Sequence, residues 1–520
     1  MAKSDELDLS ENTGRKSGRD AQRMNIYAAK LISETVRTTL GPKGMDKMLV
    51  DSDGFVTVTN DGVTILKQIE VDHPAAKMII EIAKTQETEV GDGTTSAVIL
   101  AGELLKQAEN LLDEGIHPSI ISKGYRLAND KALEIIPKFK IKIDDNEEVS
   151  KQIAMTAMTG KGPQEDKEYL AELLLVAVRK VSENGVFVKE RVGIEKKVGG
   201  SVKDTELIEG VVIDKERVHS QMPEKVALAK IALINTAIEL KVLEQDSKIS
   251  INDPKMLESF IEMEERMIKK AVQRIVDSGA NVVFCQKGID DYAQHLLAKN
   301  GIYACRRIRK DDMEKLSKAT NARIVSEISE LTPKDLGGAG VVYEELVGED
   351  YMTYVEKCKN PRTVTLLVRG STTHIVDEVK RALEDAIGDL QVFKGEAVIG
   401  AGNFEMRLSM QLEKEVSKLS GREQLAAVRF AKSLEVIPKT LIENAGLDTI
   451  DKMAELKSQI EKRNLNCAIN VYNGELMDAK LEGIIEPLKV KERAINSAAE
   501  VAIMILRIDD VILSKQEKER

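Results

Sequence analysis

The spacing of apolar residues changes its period twice along this chain, and that double switch constrains the fold more than any single motif. In the first third the period is mostly helical. Met24, Ala28, Leu31, Ile32, Thr35 and Val36 recur with helical spacing before Gly41-Pro42 stops the run. Val98, Ala101, Leu104, Leu105, Ala108, Leu111 and Leu112 mark one face of a long helix that begins near Thr94 and ends before Gly115. Between them Val56-Thr57-Val58-Thr59 alternates like a strand, and Asn60-Asp61-Gly62 reads as a hairpin turn leading back along Val63 to Leu66. Roughly the first 20 residues read as a polar arm.

The middle of the chain follows another pattern. Between Asn281 and Ile324, β-like runs at Val282–Cys285, Ile302–Ala304 and Arg323–Val325 alternate with short helical runs at Tyr292–Lys299 and Met313–Lys318, as in a small α/β layer domain. Ile249 to Val276 is charged and carries Met256, Leu257, Phe260, Ile261, Met263 and Met267 in a helical stripe, either a core face or a projecting amphipathic helix. A helix is expected from Gly370 to about Gly388. From Gly402 the helical period returns, with a β-like Gly483–Val490 before a final helix. Helical outer thirds around an α/β centre predict a discontinuous domain into which the α/β part is inserted.

At 520 residues, with 42% hydrophobic and 31% charged residues, the composition is that of a globular chain of roughly three domains. No apolar stretch reaches the roughly 18–20 residues needed to cross a bilayer, and the polar opening (Lys3, Asp5, Glu6, Asp8) is unlike a secretory signal. A net charge of −11 argues against nucleic acid as the main partner, because phosphate chains require a concentrated positive surface. Cys285, Cys305, Cys358 and Cys467 lie far apart without a CxxC, so they read as buried thiols in a reducing cytoplasm. With Trp absent and aromatics at 3%, stacking platforms for bases or sugars are disfavoured.

The familiar nucleotide signatures are absent. There is no GxxxxGK[ST], Gly400-Ala401-Gly402 does not continue as a dinucleotide-binding fingerprint, and the kinase motifs are missing. The better candidate is Val90-Gly91-Asp92-Gly93-Thr94-Thr95-Ser96, directly before the long helix. Its glycines admit a ligand close to the backbone, the helix start offers N–H groups, and three hydroxyls add donors for an anion. Asp92 belongs beside phosphate only with a cation between them, which implies Mg²⁺; the alternative is a plain helix-capping turn. Thr38-Thr39-Leu40-Gly41-Pro42-Lys43-Gly44 offers a second tight turn able to wrap a nucleotide or simply to stop a helix. Asp385 falls roughly opposite the stripe of Ile375, Val379, Leu383 and Ala386, a position that predicts solvent exposure.

Together these segments resemble a known family. RTTLGPKGMDKMLVD (Arg37 to Asp51), TNDGVTILK (Thr59 to Lys67), EVGDGTTSAVILAGELL (Glu89 to Leu105), SGREQLA (Ser420 to Ala426), ENAGLD (Glu443 to Asp448) and MILRIDDVI (Met504 to Ile512) are similar to group II chaperonin sequence, in the same order and across nearly the whole chain. The resemblance implies a multidomain fold: a mainly helical equatorial ATPase domain (1–145 and 402–520), a small intermediate hinge domain (146–215 and 368–401), and an α/β apical substrate-binding domain (216–367) whose helical protrusion, about 249–276, closes a cavity.

It also implies site roles. Asp92 matches the Mg²⁺-binding aspartate, and Gly93, Thr94, Thr95 and Ser96 the phosphate loop. Thr39, Leu40, Gly41 and Pro42 match the loop around the nucleotide. Asp61, with Gly62 beside it, matches an acidic residue near the γ-phosphate, Asp385 the aspartate that orients or deprotonates the attacking water, and Lys161 a γ-phosphate-sensing loop. Gly400, Ala401, Gly402, Asn473, Gly474 and Glu486 would contact the nucleoside. The implied cofactors are ATP and Mg²⁺, with K⁺ as a further cation. The implied partners are unfolded or partly folded proteins and identical or homologous subunits in two stacked rings. Ala401 stands where the family has a third glycine, which raises the alternative of a weakly ATP-active partner in a mixed ring; a metal-dependent phosphotransferase is a more distant alternative.

Overall fold

A computed structural model describes residues 13–143, 146–162, 164–182, 187–239, 254–348, 350–358 and 363–514. Along the chain run helices α1 (Gly18–Arg37), α2 (Gly62–Gln68), α3 (Pro74–Val90), α4 (Thr94–Asp113), α5 (Pro118–Ile135), α6 (Asn146–Met158) and α7 (Lys167–Val181). Helices α8 (Pro254–Asp277), α9 (Asp291–Lys299) and α10 (Lys310–Thr320) alternate with strands. Then come α11 (Thr373–Val392), α12 (Asn403–Val416), α13 (Glu423–Ser433), α14 (Val436–Asn444), α15 (Thr449–Glu461) and α16 (Leu488–Leu506). The chain forms two compact units, one made of residues 1–167 with 381–520 and the other of residues 168–380.

The first unit is helical, and its core forms around α4. Leu104, Leu105, Leu111 and Val98 on that helix are buried, each withdrawal from water contributing about 1.5–3 kcal/mol. Helices α1, α3 and α16 pack on it. Gly102 lets α1 come close, since a Cβ there would lie 2.2 Å from Ser33 Oγ. Helix α5 joins through Tyr125, whose ring meets Phe430 of α13 edge-on and whose hydroxyl donates to the Leu104 carbonyl at 2.7 Å.

Three expectations need correction in this unit. Val63–Leu66 is not a returning strand but part of α2: Asp61 caps the helix, its Oδ2 accepting from Thr64 N at 2.9 Å and Thr64 Oγ1 at 2.6 Å. Strand Val56–Thr59 pairs instead with Lys47–Val50. Within Gly483–Val490 only Ile485–Pro487 is strand, paired with Ala397–Ile399, and α16 starts at Leu488 because Pro487 can precede a helix without losing a needed N–H. The polar arm is shorter than expected: Thr13–Ser17 pairs antiparallel with Asp510–Ser514, and α1 starts at Gly18.

The second unit is built on mixed sheets. One runs Gly210–Ile213, Asp350–Glu356, Gly337–Val347, Lys225–Ile234, Val282–Cys285, Tyr303–Cys305 in spatial order. Its first three junctions are antiparallel and the last two parallel, as befits strands joined by α8 and α9 crossovers. A smaller sheet sets Val364–Gly370 between Val192–Val198 and Glu206–Ile208. Helix α8 bears out the core reading over its second half: Ile268, Val272 and Ile275 are buried against the sheet unit's core, whereas Met263 and Met267 are 60% and 53% exposed. Residues 249–253, and the side chains of Met256, Leu257, Phe260 and Ile261, lie outside the described residues. All four cysteines are buried free thiols.

Candidate functional site

A cavity of about 390 Å³ opens in the helical unit, within the size range of small-molecule sites. Its floor is the turn from α3 into α4. Gly91 and Gly93 hold φ of 87° and 76°, conformations that cost a glycine little, and Gly93 leaves the start of α4 without a side-chain cap. The first N–H groups of a 20-residue helix therefore face the cavity together with Thr94, Thr95 and Ser96. Gln86 fixes this turn, donating through Nε2 to the carbonyls of Asp92 at 3.0 Å and Val490 at 3.3 Å.

The opposite wall is the turn Thr39–Pro42, with Thr39 buried and donating from Oγ1 to the Val36 carbonyl at 2.8 Å. Gly160 packs on it so tightly that a Cβ there would lie 2.8 Å from the Gly41 oxygen. That contact, and a bond from Asn60 Nδ2 to the Gly160 carbonyl at 2.5 Å, present Lys161 to the interior. Lys161 Nζ reaches Asp385 Oδ2 at 2.5 Å and Asp92 Oδ1 at 3.3 Å. Burial works against the Lys161 ammonium, but Asp385, Asp92 and Asp61 outweigh it and hold its pKa above the ordinary lysine value. Burial pushes the Asp385 carboxyl up to about 8, helped by Asp92 and Asp61 and opposed by Lys161.

A second cationic centre lies toward α16. Lys491, 8% exposed by side chain, meets Glu405 Oε1 at 2.9 Å and Glu486 Oε2 at 2.5 Å. Burial alone would depress it, and the two glutamates reverse that. Burial raises the Glu486 carboxyl above the usual range. Among the described residues no three His, Cys, Asp or Glu side chains form a ready-made metal cage. Such a site suits a hard cation held by one or two carboxylates and completed by phosphate oxygens. The Lys161 ammonium, between two aspartates, shows that a positive charge is accommodated there.

The sequence matches the TCP-1/cpn60 chaperonin family over residues 32–516. The chain belongs to this family, as a group II chaperonin. It is 58% identical over 508 residues to the thermosome subunit beta of Methanothermobacter thermautotrophicus, covering 97% of this chain and 94% of that protein. It is 56% identical over 517 residues to a thermosome subunit of Methanocaldococcus jannaschii, covering 98% and 95%. To the thermosome subunit alpha of Archaeoglobus fulgidus it is 53% identical over 522 residues, covering 99% and 96%.

In this chaperonin chain Thr39, Leu40, Gly41, Pro42, Asp61, Asp92, Gly93, Thr94, Thr95, Ser96, Lys161, Ala401, Gly402 and Glu486 all line the one cavity. Asp385 stands behind Lys161 and is 18% exposed by side chain, so the exposure expected from its helical position is corrected: a residue remote in sequence covers it. Gly62 lies under the wall, where a Cβ would meet Thr95 Oγ1 at 2.5 Å, and Gly400 backs onto Glu486 in the same way. Asn473 and Gly474 are not on the wall; Asn470, Val471 and Tyr472 are. Sequence reasoning missed Asp389, Lys491, Glu405 and Gln86. Each sits on an amphipathic helix, where a polar residue reads as solvent-facing until its tertiary neighbours are known.

Proposed function

We propose that this chaperonin chain is an ATP-hydrolysing subunit that assembles with identical or homologous subunits into two stacked rings, takes up unfolded or partly folded proteins, and encloses them by ATP-driven closure of its own lid. The observation that carries the ATPase reading is the Lys161 ammonium held between Asp92 and Asp385, beside the uncapped start of α4. Phosphoryl transfer to water needs charge neutralisation and positioning more than covalent help, and this wall offers both.

Asp92 would hold Mg²⁺, which would neutralise charge on the phosphates; K⁺ is a further cation of the same reading. The Gly93–Ser96 N–H and hydroxyl groups bind phosphate oxygens. Thr39–Pro42 and Gly62 shape the turn around them. Asp385 accepts a proton from the attacking water or orients it, Asp61 stands near the γ-phosphate, and Lys161 registers the terminal phosphate. Ala401, Gly402 and Glu486 contact the nucleoside, with Gly400, Asn473 and Gly474 supporting that end. Burial raises the proton affinity of Asp385, and the Lys161 ammonium opposes it.

The proposed domains are equatorial (1–145, 402–520), intermediate (146–215, 368–401) and apical (216–367), with the lid near 249–276. Exposed Met263 and Met267 on α8 support a surface that meets another protein. A cytoplasmic location without a membrane partner agrees with the finding that no helix among the described residues is long and apolar enough to cross a membrane. The weakly active alternative draws on Ala401, which holds φ at 54° in the cavity wall.

The test is phosphate release by the purified full-length chain against an Asp92→Ala, Asp385→Ala double variant. Loss of about 10²- to 10⁴-fold in the variant is expected. Equal background rates in both would end the active-ATPase reading. Electron microscopy with and without ATP tests the rings and the lid.

A further inference from the structure

Asp389 lies one turn beyond Asp385 on α11 and lines the same cavity, yet the ion pairs leave it out. It is 2% exposed, and its Oδ1 is sealed from solvent with no hydrogen-bond partner among the described residues. The two buried cations nearby are committed elsewhere, Lys161 to Asp92 and Asp385, Lys491 to Glu405 and Glu486. An unpaired buried carboxyl opposes folding, so its place in a cavity wall calls for a partner that arrives with a ligand.

The backbone keeps this carboxyl close to the Asp92 turn. A Cβ on Gly388 would lie 2.7 Å from Gly91 Cα, and one on Gly91 would lie 2.6 Å from Gly388 Cα. Helix α11 and the turn thus meet backbone to backbone, with no side chain between them to act as a cushion. Burial, joined by the charges of Asp92 and Glu486, raises the proton affinity of Asp389, and Lys161 opposes them.

We propose that Asp389 is a positioning residue for the cation that accompanies the nucleotide, its carboxyl accepting a hydrogen bond from water bound to that cation. This rests on the nucleotide reading of the cavity. A water-mediated role fits better than direct ligation, because the described carboxylates form no cage and a hard divalent ion keeps several of its waters. Outer partners of this kind orient bound waters and strengthen the site.

The test uses the full-length chain and a fluorescent, non-hydrolysable ATP analogue, titrated with and without Mg²⁺. In Asp389→Asn the Mg²⁺ concentration for half-maximal binding should rise about tenfold. Binding without Mg²⁺ should stay within about twofold, because burial raises the proton affinity of Asp389 and leaves little negative charge for the substitution to remove. A shift confined to the Mg²⁺-dependent binding is not produced by a merely structural change. Thermal unfolding of the same samples establishes that they are folded, and Asp389→Val, which fills the space without charge, provides a second variant. An unchanged Mg²⁺ requirement in both variants, with a raised melting temperature, would overturn the proposal and leave Asp389 a neutral filler. If Asp92→Asn also left the Mg²⁺ requirement unchanged, the nucleotide reading itself would fall.

Discussion

In the sheet unit the Tyr303 hydroxyl meets Thr353 Oγ1 at 2.6 Å, Thr353 donates on to the Lys215 carbonyl at 2.6 Å, and Cys305 Sγ lies 3.4 Å from the same hydroxyl. Thr332 and Asp335 cap one short turn reciprocally. Of the buried side-chain polar atoms without a hydrogen-bond partner among the described residues, Thr363 Oγ1 is the one in residues 168–380. The helical unit is arranged otherwise. Asp389, Glu405 and Gln86 each carry such an oxygen at the cavity wall or in the bonds that hold it, and Ser122, Asn129 and Ser497 carry others that do not line it. Buried polar groups that satisfy one another make a scaffold, whereas incompletely satisfied ones around a cavity mark where the chain reserves capacity for a ligand.

The largest expected effect tests whether the sheet unit is scaffold alone. Phe284 is fully buried in strand Val282–Cys285. Phe284→Ala should cost about 3–5 kcal/mol of stability, read by chemical denaturation. Nucleotide affinity should stay within about twofold, because distant sites act additively. A large fall in affinity would break the division of roles between the units.

A smaller effect probes the helical unit through pH. Asp385 has an ordinary value of 3.8 when unfolded and about 8 when folded. Between those values the folded chain keeps a proton that the unfolded chain has released, so stability should fall as pH rises through the window. Lys161, raised above its ordinary value, stays charged throughout and contributes no slope there. Melting temperatures from pH 5 to pH 8 should decline in the natural chain and decline less in Asp385→Asn, which has no such proton to lose. Parallel curves would show that the buried carboxyl is not strained by its surroundings.

The smallest effect concerns Ala401. Its φ of 54° is the left-handed region that an alanine occupies at a cost, partly offset because its methyl packs on Ile399, Ala468 and Ala479. Ala401→Gly should stabilise the chain by about 0.5–1 kcal/mol, after allowing for the greater freedom of unfolded glycine. Calorimetry in the absence of nucleotide checks this; a lower melting temperature would mean that the methyl's packing outweighs the strain.

Legibility in the sequence followed the range of the deciding interaction. The helix beginning at Thr94 was readable because its apolar stripe lasts for about four turns and Gly115 ends it, and the parallel strands near Val282 and Tyr303 were readable as short apolar runs between helices. Val63–Leu66 was misread, because four apolar or β-branched residues contain no period and the cap made by Asp61 decides the matter. The Asp92 turn was legible as an anion-binding helix start. The burial of Asp385 was not, since the lysine that covers it lies 224 residues away. Lys491 and Asp389 gave no signal for the same reason.

The cavity draws its wall from residues 39–167 and again from residues 389–491, with the whole of the sheet unit encoded between them. On a ribosome, the sheet unit therefore emerges entire while half of the helical core is still unmade. The inserted part can fold first, and the nascent chain cannot grip nucleotide until Lys491 and the helix that carries it have appeared. Synthesis order thus withholds a complete cavity until the chain is nearly finished.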